Sequence, residues 1–271
     1  MRGQAGRTAL VTGGSGGIGL ATCRALRRLG ATVVVADVTQ DLVDSGVAAL
    51  SDGDGPDVLG VVVDVRDEGQ ARAAAKLAIA ATGSLDVLVN CGGVSEPRGA
   101  TLDKDMDAWQ RVIDVNLTGT YVMSRATAEF MVPQRRGVVL NLASIASILG
   151  LSARPAYSAS KAGVAMLTRT LACEWARYGV RVNAVAPGYI LTPMTERLVA
   201  AGTLDVDVIA RRTPMGRMGT PEEVADVLVM LADDSARFIT GAVLPVDGGY
   251  MAVGAPGDAW EPVDAASAST L

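Results

Sequence analysis

The chain has 271 residues, with 24 basic and 29 acidic side chains, no histidine and 4% aromatic residues. This length predicts one α/β domain with a large core, and the acidic balance without a basic run argues against a nucleic acid partner. Without histidine, a Ser/His/Asp triad, a histidine metal ligand and a histidine general base are excluded, and we expect no metal site.

Short β-branched runs alternate with longer helical stretches along the chain. The predicted strands are TALVT, TVVVAD, VLGVVVD, LDVLVN, GVVLNLAS, RVNAVAPG and AVLPVDGG, and the predicted helices span about 18–29, 42–50, 68–81, 105–131, 157–178 and 221–231. Continuous apolar runs in the strands indicate helices on both faces of the sheet. The sequence therefore predicts a doubly wound α/β Rossmann fold, a seven-stranded parallel sheet in the order 3-2-1-4-5-6-7.

Three further expectations concern the organisation of the chain. One domain is expected over residues 1–253, with a less regular substrate lid at about 190–219, and residues 254–271 are expected to form a weakly ordered tail or an arm to a neighbouring subunit. No apolar segment reaches the roughly 20 residues that span a bilayer, and the start lacks the apolar stretch of a signal peptide. Three widely spaced cysteines fit free thiols of a reducing compartment. We expect a cytoplasmic protein without a membrane partner.

A glycine-rich turn, TGGSGGIG at residues 12–19, separates the first strand from the first helix. Its glycines let the backbone approach a pyrophosphate, and the helix start offers unpaired N–H groups and a positive dipole end. Taken alone, the turn is also explained by an ordinary strand-to-helix loop. The turn predicts a set of cofactor contacts: Gly13, Ser15, Gly16, Gly17, Ile18 and Gly19.

Asp37 ends the second strand, 18 residues after Gly19. An acid near this spacing accepts hydrogen bonds from an adenosine ribose and repels a 2′-phosphate. Neither Gly16 nor Val38 supplies a cation that would receive such a phosphate. The position therefore favours NAD as the cofactor. A solvated acid at a strand end is the alternative, but it explains neither the spacing nor the glycine turn.

Tyr157 and Lys161 are four residues apart in a predicted helix, so their side chains share one face. A nearby ammonium would lower the pKa of the phenol from its usual value of about 10. Ser144 follows a predicted buried strand, where its hydroxyl can bind a reacting oxygen. A Tyr-x-x-x-Lys pair alone is better explained as an exposed helical pair, but the glycine turn and the acid reverse that judgement.

These motifs together resemble the classical short-chain dehydrogenase/reductase family over about residues 7–249. The resemblance rests on TGGSGGIG, Asp64-Val65, Asn116, Ser144, YSASK, and PGYILT at 187–192. It implies that Tyr157 is the general base in alcohol oxidation and the general acid in ketone reduction. It also implies that Ser144 orients the substrate oxygen, Lys161 binds the nicotinamide ribose and Asn116 positions a water of a proton relay. Further implied cofactor contacts are Asp64, Val65, Asn90, Gly92, Tyr157, Lys161, Pro187, Gly188, Ile190 and Thr192.

One departure from the family pattern follows the fourth predicted strand. The usual Asn-Asn-Ala-Gly stretch appears here as Asn90-Cys91-Gly92-Gly93. We interpret Cys91 as a small buried residue and not as a redox thiol, because no partner cysteine or adjacent cation is apparent in the sequence.

The predicted function is hydride transfer between NAD(H) and a small secondary alcohol or ketone, with a polyol, sugar or similar alcohol as the leading class. The alternatives are a 3-oxoacyl-thioester reductase, an NADP-dependent biosynthetic reductase and a non-catalytic NAD-sensing or scaffold protein. Apolar faces on the helices at 109–130 and 164–175 and the resemblance predict a homotetramer. A partly apolar substrate wall is expected from Ile145, Ile148, Leu149, Leu151, Tyr189 and Met194. Recognition of hydroxyls or of an anionic group is expected from Glu96, Arg98 and Arg154, with packing or solvent exposure as the alternative for each of these residues.

Overall fold

The computed structural model describes residues 4–51, 55–254 and 259. Its seven strands are β1 (Thr8–Thr12), β2 (Thr32–Asp37), β3 (Val58–Val62), β4 (Val87–Asn90), β5 (Gly137–Leu142), β6 (Val180–Pro187) and β7 (Val243–Val246). They form one sheet in the order β3-β2-β1-β4-β5-β6-β7, and every neighbouring pair is parallel. The predicted fold and strand order are confirmed. The predicted tail lies outside the described residues, apart from Gly254 and Ala259.

The described part of the chain contains nine α-helices. They are α1 (Gly17–Arg28), α2 (Gln40–Ser51), α3 (Glu68–Thr82), α4 (Met106–Ile113), α5 (Gly119–Met131), α6 (Pro155–Trp175), α7 (Pro193–Ala200), α8 (Val206–Arg212) and α9 (Pro221–Ala232). Among the residues that the structure describes, no helix combines the length and the apolar character needed to cross a bilayer.

The helix predicted over 105–131 differs from the prediction because a π-helical turn, Asp114–Thr118, separates α4 from α5. A turn of this kind inserts one residue into the helical register, and it occurs often at functional sites. Hydrophobic periodicity continues on both sides of the turn, so the sequence pattern shows one helix. Asn116 lies within the turn.

The stretch predicted as irregular after β6 contains the short helices α7 and α8, which corrects that expectation. Each helix has its own cap. The Thr192 hydroxyl accepts a hydrogen bond from Thr195 N at 3.3 Å, and the Asp205 carboxylate accepts one from Asp207 N at 2.9 Å. Helices of eight and seven residues present barely two turns, which is too little periodicity to recognise.

Helices cover both faces of the sheet because successive strand residues point to opposite sides. Val11 and Val35 pack with Leu228 of α9 on one face, while Leu10 and Val34 pack on the other face, against a layer that includes α3 and α5. Strands β1, β4 and β5 are buried along their whole length, which explains their continuous apolar runs.

A chain of buried polar side chains attaches α6 to the sheet. Asn90 Nδ2 of β4 donates to Asn141 Oδ1 of β5 at 2.9 Å, and Asn141 Nδ2 donates to Thr168 Oγ1 of α6 at 2.9 Å. The Thr168 hydroxyl in turn donates to Val164 O at 2.8 Å. All three polar side chains are buried, so each hydrogen bond also satisfies a group that water cannot reach.

Replacing Thr168 by Ala should therefore lower the free energy of unfolding by about 1–3 kcal/mol, because the buried Asn141 amide loses its acceptor. The matched control is Ser51→Ala, since Ser51 is exposed on α2 and its hydroxyl also donates to the carbonyl four residues earlier. We expect the control to stay within about 0.5 kcal/mol of the wild type. Urea unfolding at one protein concentration measures both, and equal effects would contradict the assigned role of the polar chain.

Candidate active site

A crevice opens at the carboxyl edge of the sheet, where the strand order reverses between β1 and β4. It holds a cavity of about 580 Å³. The sequence-predicted residues that line this cavity are Gly13, Ser15, Gly16, Gly17, Ile18, Gly19, Asp37, Asp64, Val65, Gly92, Ser144, Tyr157, Lys161, Pro187, Gly188, Ile190 and Thr192. Ligands of doubly wound sheets bind at such a reversal, so the cavity is the candidate active site.

Gly13 and Gly19, in the glycine turn between β1 and α1, have no room for a side chain. Gly13 has φ +62°, and a Cβ there would lie 2.8 Å from the Gly92 backbone. A Cβ on Gly19 would lie 2.1 Å from Gly13 O. Gly16 caps α1 without a side-chain hydrogen bond, so no side chain of the turn competes for the first N–H groups of the helix. The turn thus fits an anionic phosphate.

Asp37 is held at the edge of the same cavity. Its carboxylate accepts hydrogen bonds from the Ser15 hydroxyl and, at 2.8 Å, from Val38 N. Arg66 also borders the cavity, but its guanidinium pairs with Asp64, with 2.6 Å between Nη2 and Oδ2. The hydrogen bond to Arg66 lowers the pKa of the Asp64 carboxyl. Asp37 therefore lies beside the glycine turn, and Arg66, a cation that borders the same cavity, is already paired with Asp64.

Asn90, which the resemblance implied as a cofactor contact, does not line the cavity with its side chain. Its side chain is buried, and its Nδ2 donates to Ser124 Oγ at 3.1 Å and to Asn141 Oδ1. The side chain points between β5 and α5, because it belongs to the polar chain that attaches α6 to the sheet. The cavity lining at this strand end comes from Cys91 and Gly92 instead.

Helix α6 brings Tyr157 and Lys161 to the cavity on one face, as the spacing predicted. The Lys161 Nζ lies 5.7 Å from the centroid of the Tyr157 ring and donates to Leu142 O, at the end of β5, at 2.7 Å. Burial lowers the pKa of Lys161 to about 8. Ser144 lies just after β5, where its hydroxyl accepts a hydrogen bond from Ala146 N at 3.1 Å.

The pKa of Tyr157 is raised, which is opposite to the direction that the sequence predicted. Burial of the phenol is the largest cause, and it outweighs the hydrogen bond with Ser144 and the charge of Arg154, both of which lower the pKa. The Lys161 ammonium lies over the ring and donates a hydrogen bond to Leu142 O instead of to the phenol oxygen. At neutral pH the phenol therefore carries its proton.

Asn116 lies beside the cavity without lining it. Its Oδ1 accepts from Val94 N at 2.8 Å, and its Nδ2 donates to Val94 O at 2.9 Å and to Ser160 Oγ at 3.1 Å. The π-helical turn therefore attaches the segment after β4 to α6. A Cβ on Gly93 would lie 3.3 Å from Asn116 Oδ1 and 3.7 Å from Lys161 Nζ, so only a small residue fits between the two polar groups.

Cys91 lines the cavity, and the structure places the cation of Lys161 close enough to act on it. Burial nevertheless dominates and raises the pKa of the Cys91 thiol to about 12. The thiol stays protonated at neutral pH, which agrees with its interpretation as a small packing residue.

Several residues that line the cavity were not predicted from the sequence, because they lie far apart along the chain. They include three apolar residues, Leu42, Val63 and Val115, and Arg197 of α7. No local pattern distinguishes these residues from ordinary core or surface positions. Glu96 was assigned to substrate recognition, but it is 5% exposed and its carboxylate accepts hydrogen bonds from Tyr157 N.

The fold and the site are those of a dinucleotide-binding α/β enzyme, because the glycine turn, Asp37 and the residues predicted to transfer a proton all line the cavity at the strand reversal. Comparison with known families agrees. A family model described as "Enoyl-(Acyl carrier protein) reductase" matches residues 13–251. The chain belongs to the classical short-chain dehydrogenase/reductase family, whose members are oxidoreductases that bind a nicotinamide cofactor.

Individual relatives cover nearly all of this chain. Cis-4-hydroxycyclohexanecarboxylate dehydrogenase of Sinomonas cyclohexanicum is 45% identical over 91% of this chain and 97% of its own. An uncharacterised dehydrogenase/reductase of Sinorhizobium fredii is 42% identical over 96% of this chain, which spans only 46% of that longer relative. A solved structure from Agrobacterium tumefaciens, provisionally assigned as a 2-deoxy-D-gluconate 3-dehydrogenase with bound NADP, is 37% identical with a TM-score of 0.83, covering 93% of this chain and 98% of that one.

Proposed function

We propose that the protein is an NAD(H)-dependent dehydrogenase that interconverts a small secondary alcohol and its ketone, with a polyol, sugar or similar alcohol as substrate. The observation that carries the proposal is the convergence of Ser144, Tyr157 and Lys161 on the cavity whose opposite end is bordered by Asp37. The cavity fits a nicotinamide dinucleotide, which would accept or donate the hydride.

Tyr157 is the proposed proton carrier. Its protonated phenol suits donation to the oxygen of a ketone, while alcohol oxidation requires the phenolate and should accelerate as the pH rises towards the pKa of Tyr157. Ser144 holds the reacting oxygen and Lys161 binds the nicotinamide ribose. The ammonium of Lys161 favours the phenolate only while the lysine is protonated, up to its pKa of about 8. Asn116, through Val94 and Ser160, holds the backbone around a proton path.

NAD is the proposed cofactor because of Asp37. A carboxylate that already accepts hydrogen bonds from Ser15 and Val38 would receive ribose hydroxyls and repel a 2′-phosphate. Arg66, which borders this end of the cavity, is paired with Asp64. The Agrobacterium relative holds NADP, so the proposal rests on Asp37 and not on likeness.

A 3-oxoacyl-thioester reductase is the second candidate, favoured by the acyl-carrier description of the matching family model. The secondary alcohol in the name of the Sinomonas relative favours the first. A panel of polyols, sugars, hydroxy acids and acyl thioesters, assayed with NAD and NADP at a wavelength of about 340 nm, separates the candidates. Hydroxy acids belong in the panel because they carry a carboxylate that a cation can bind. The charges of Arg98 and Arg154 both lower the pKa of Tyr189, so both cations lie near this residue. No turnover with any of them would favour a non-catalytic NAD-sensing or scaffold protein.

We further propose one catalytic domain over residues 1–253, with residues 190–219 as a substrate lid, and a cytoplasmic location. The lid proposal is supported by Met194 and Arg197, which border the cavity from α7.

Tyr157→Phe should lower kcat with the best alcohol of the panel by about 10²- to 10⁴-fold, because it removes the proton carrier while keeping the ring. Binding of NADH, followed by fluorescence, should change little. Tyr178→Phe is the matched control, since Tyr178 lies outside the cavity and contacts Arg177. Full activity of the Tyr157 variant would contradict the mechanism.

Asp37→Ala should lower kcat/KM for NAD by about 10- to 150-fold, because hydrogen bonds to a charged group contribute about 1.5–3 kcal/mol. The same substitution should raise the use of NADP relative to NAD. Asp41→Ala is the control, because Asp41 is a nearby exposed acid outside the cavity. A wild type that prefers NADP, with an Asp37 variant that behaves like it, would contradict NAD as the cofactor.

We propose a homotetramer built on α5 and α6, where Tyr121 and Met166 are exposed apolar residues. Light scattering should give four times the mass of the chain, and Met166→Glu should reduce that mass because a charge would be buried in the interface. A monomeric mass for the wild type would contradict the proposal.

A further inference from the structure

Helix α6 begins without a cap from its own neighbourhood. Arg154 at the capping position makes no side-chain hydrogen bond to the helix, and Pro155 has no N–H. The cap comes instead from Glu96, 61 residues before Tyr157, whose Oε1 and Oε2 accept from Tyr157 N at 3.2 and 3.1 Å. The backbone group that this acid binds belongs to the residue that carries the proposed reactive phenol.

The environment of Glu96 differs from that of the acidic caps of the other α-helices in the described residues. Asp67, Asp105 and Asp205 cap α3, α4 and α8 from the adjoining residue and are exposed. Glu96 is 5% exposed. A buried carboxylate is costly unless hydrogen bonds and positive potential compensate it, and here the positive end of a 21-residue helix does so. Glu96 therefore differs from these three caps both in its burial and in its distance along the chain from the helix that it caps.

The segment that carries Glu96 is fixed on both sides. Val94 N and O are bound by the side chain of Asn116. Pro97 O accepts a hydrogen bond from Lys104 Nζ, and Arg98 Nη1 donates to Thr203 O, between α7 and α8, at 2.7 Å. The carboxylate is therefore held between the π-helical turn and the lid, and the position of α6 is tied to both.

We propose that Glu96 is a positioning residue of the active site, whose buried carboxylate holds the backbone of Tyr157 at a fixed position relative to Ser144 and presents a negative charge to the phenol. This inference rests on the function proposed above for Tyr157. It gives the segment after β4 that carries Glu96 a role in positioning Tyr157, which is different from contact with the substrate.

The charge of Glu96 has a second consequence, since it raises the pKa of Tyr157 together with burial. The Ser144 hydrogen bond and the Arg154 charge act in the opposite direction. Removing the carboxylate charge should therefore lower the pKa of Tyr157. The other charged groups that border the phenol or the smaller cavity of about 190 Å³ beside Glu96 are Lys161, Arg98, Asp103, Lys104 and Asp105.

Two substitutions separate position from charge. Glu96→Gln keeps an oxygen that accepts from Tyr157 N but removes the charge, so kcat should stay within about 3-fold while the pH profile of alcohol oxidation shifts to lower pH. Glu96→Ala removes the cap, so kcat should fall about 10- to 100-fold with the dissociation constant of NADH unchanged. Asp67→Ala removes an acidic cap from α3 and controls for loss of stability. We expect it to change neither kcat nor the pH profile.

A measurement without turnover keeps this test independent of the proposed function. Tyrosine labelled with ¹³C at Cζ gives one resonance for each of the five tyrosines, and Tyr157→Phe identifies the relevant one. Titration of the free protein from about pH 8 upwards should show a lower pKa for Tyr157 in Glu96→Gln than in the wild type. This result can be obtained even if no panel compound is turned over, in which case only the proposed function fails.

Two results would overturn the inference. In the first, Tyr157 titrates alike in the wild type and Glu96→Gln. In the second, Glu96→Ala retains the wild-type kcat, or Asp67→Ala lowers kcat as much as Glu96→Ala does for a similar loss of melting temperature.

Discussion

The attachment of α6 to the sheet is the constraint on which the rest of the structure depends. Two sets of buried hydrogen bonds provide it: Asn141 binds Thr168 in the middle of the helix, and Glu96 binds Tyr157 N at its start. A helix fixed at two heights cannot slide or rotate along β5 without breaking buried polar contacts, which is costly in a water-excluded interior. Tyr157 and Lys161 consequently keep one position relative to Ser144, which follows β5.

Burial governs the acid–base properties of the site more than any single charge. It raises the pKa values of Tyr157 and of the Cys91 thiol, and it lowers that of Lys161 to about 8. Each shift favours the neutral form, as expected where water is excluded. Burial raises the pKa of the Tyr157 phenol by more than the Ser144 hydrogen bond and the Arg154 charge lower it. A protonated Tyr157 and a Lys161 whose pKa is about 8 are compatible with the proton transfer proposed for this site.

At the end of the cavity next to β2, the arrangement of the site is set by backbone geometry and not by the protonation states of side chains. Close approach of Gly13 to Gly92 and of Gly19 to Gly13 allows β1, the turn and α1 to meet without side chains between them. The Ser15 hydroxyl then joins the turn to Asp37. The residues proposed to bind the phosphate and the ribose thus lie in neighbouring parts of one short region. This proximity is the physical reason that the spacing between the glycines and Asp37 carries information.

The sequence by itself determined the fold, the strand order, the glycine turn, Asp37 and the Tyr157–Lys161 pair. These features depend on local pattern and on chain order: strand and helix periodicity, glycine positions and a four-residue helical spacing are all visible without tertiary contacts. The two helices within 190–219 and the π-helical turn around Asn116 were not visible, since short elements leave too little periodicity.

Only the tertiary structure decided what the buried polar residues do. Asn90 binds other core side chains and not the cavity, Glu96 caps a helix 61 residues away, and the pKa of Tyr157 shifts opposite to the sequence expectation. Each outcome depends on which distant groups pack around the side chain and how completely they exclude water. Neither quantity has a local sequence signal, because hydrogen-bond partners and burial are properties of the assembled core.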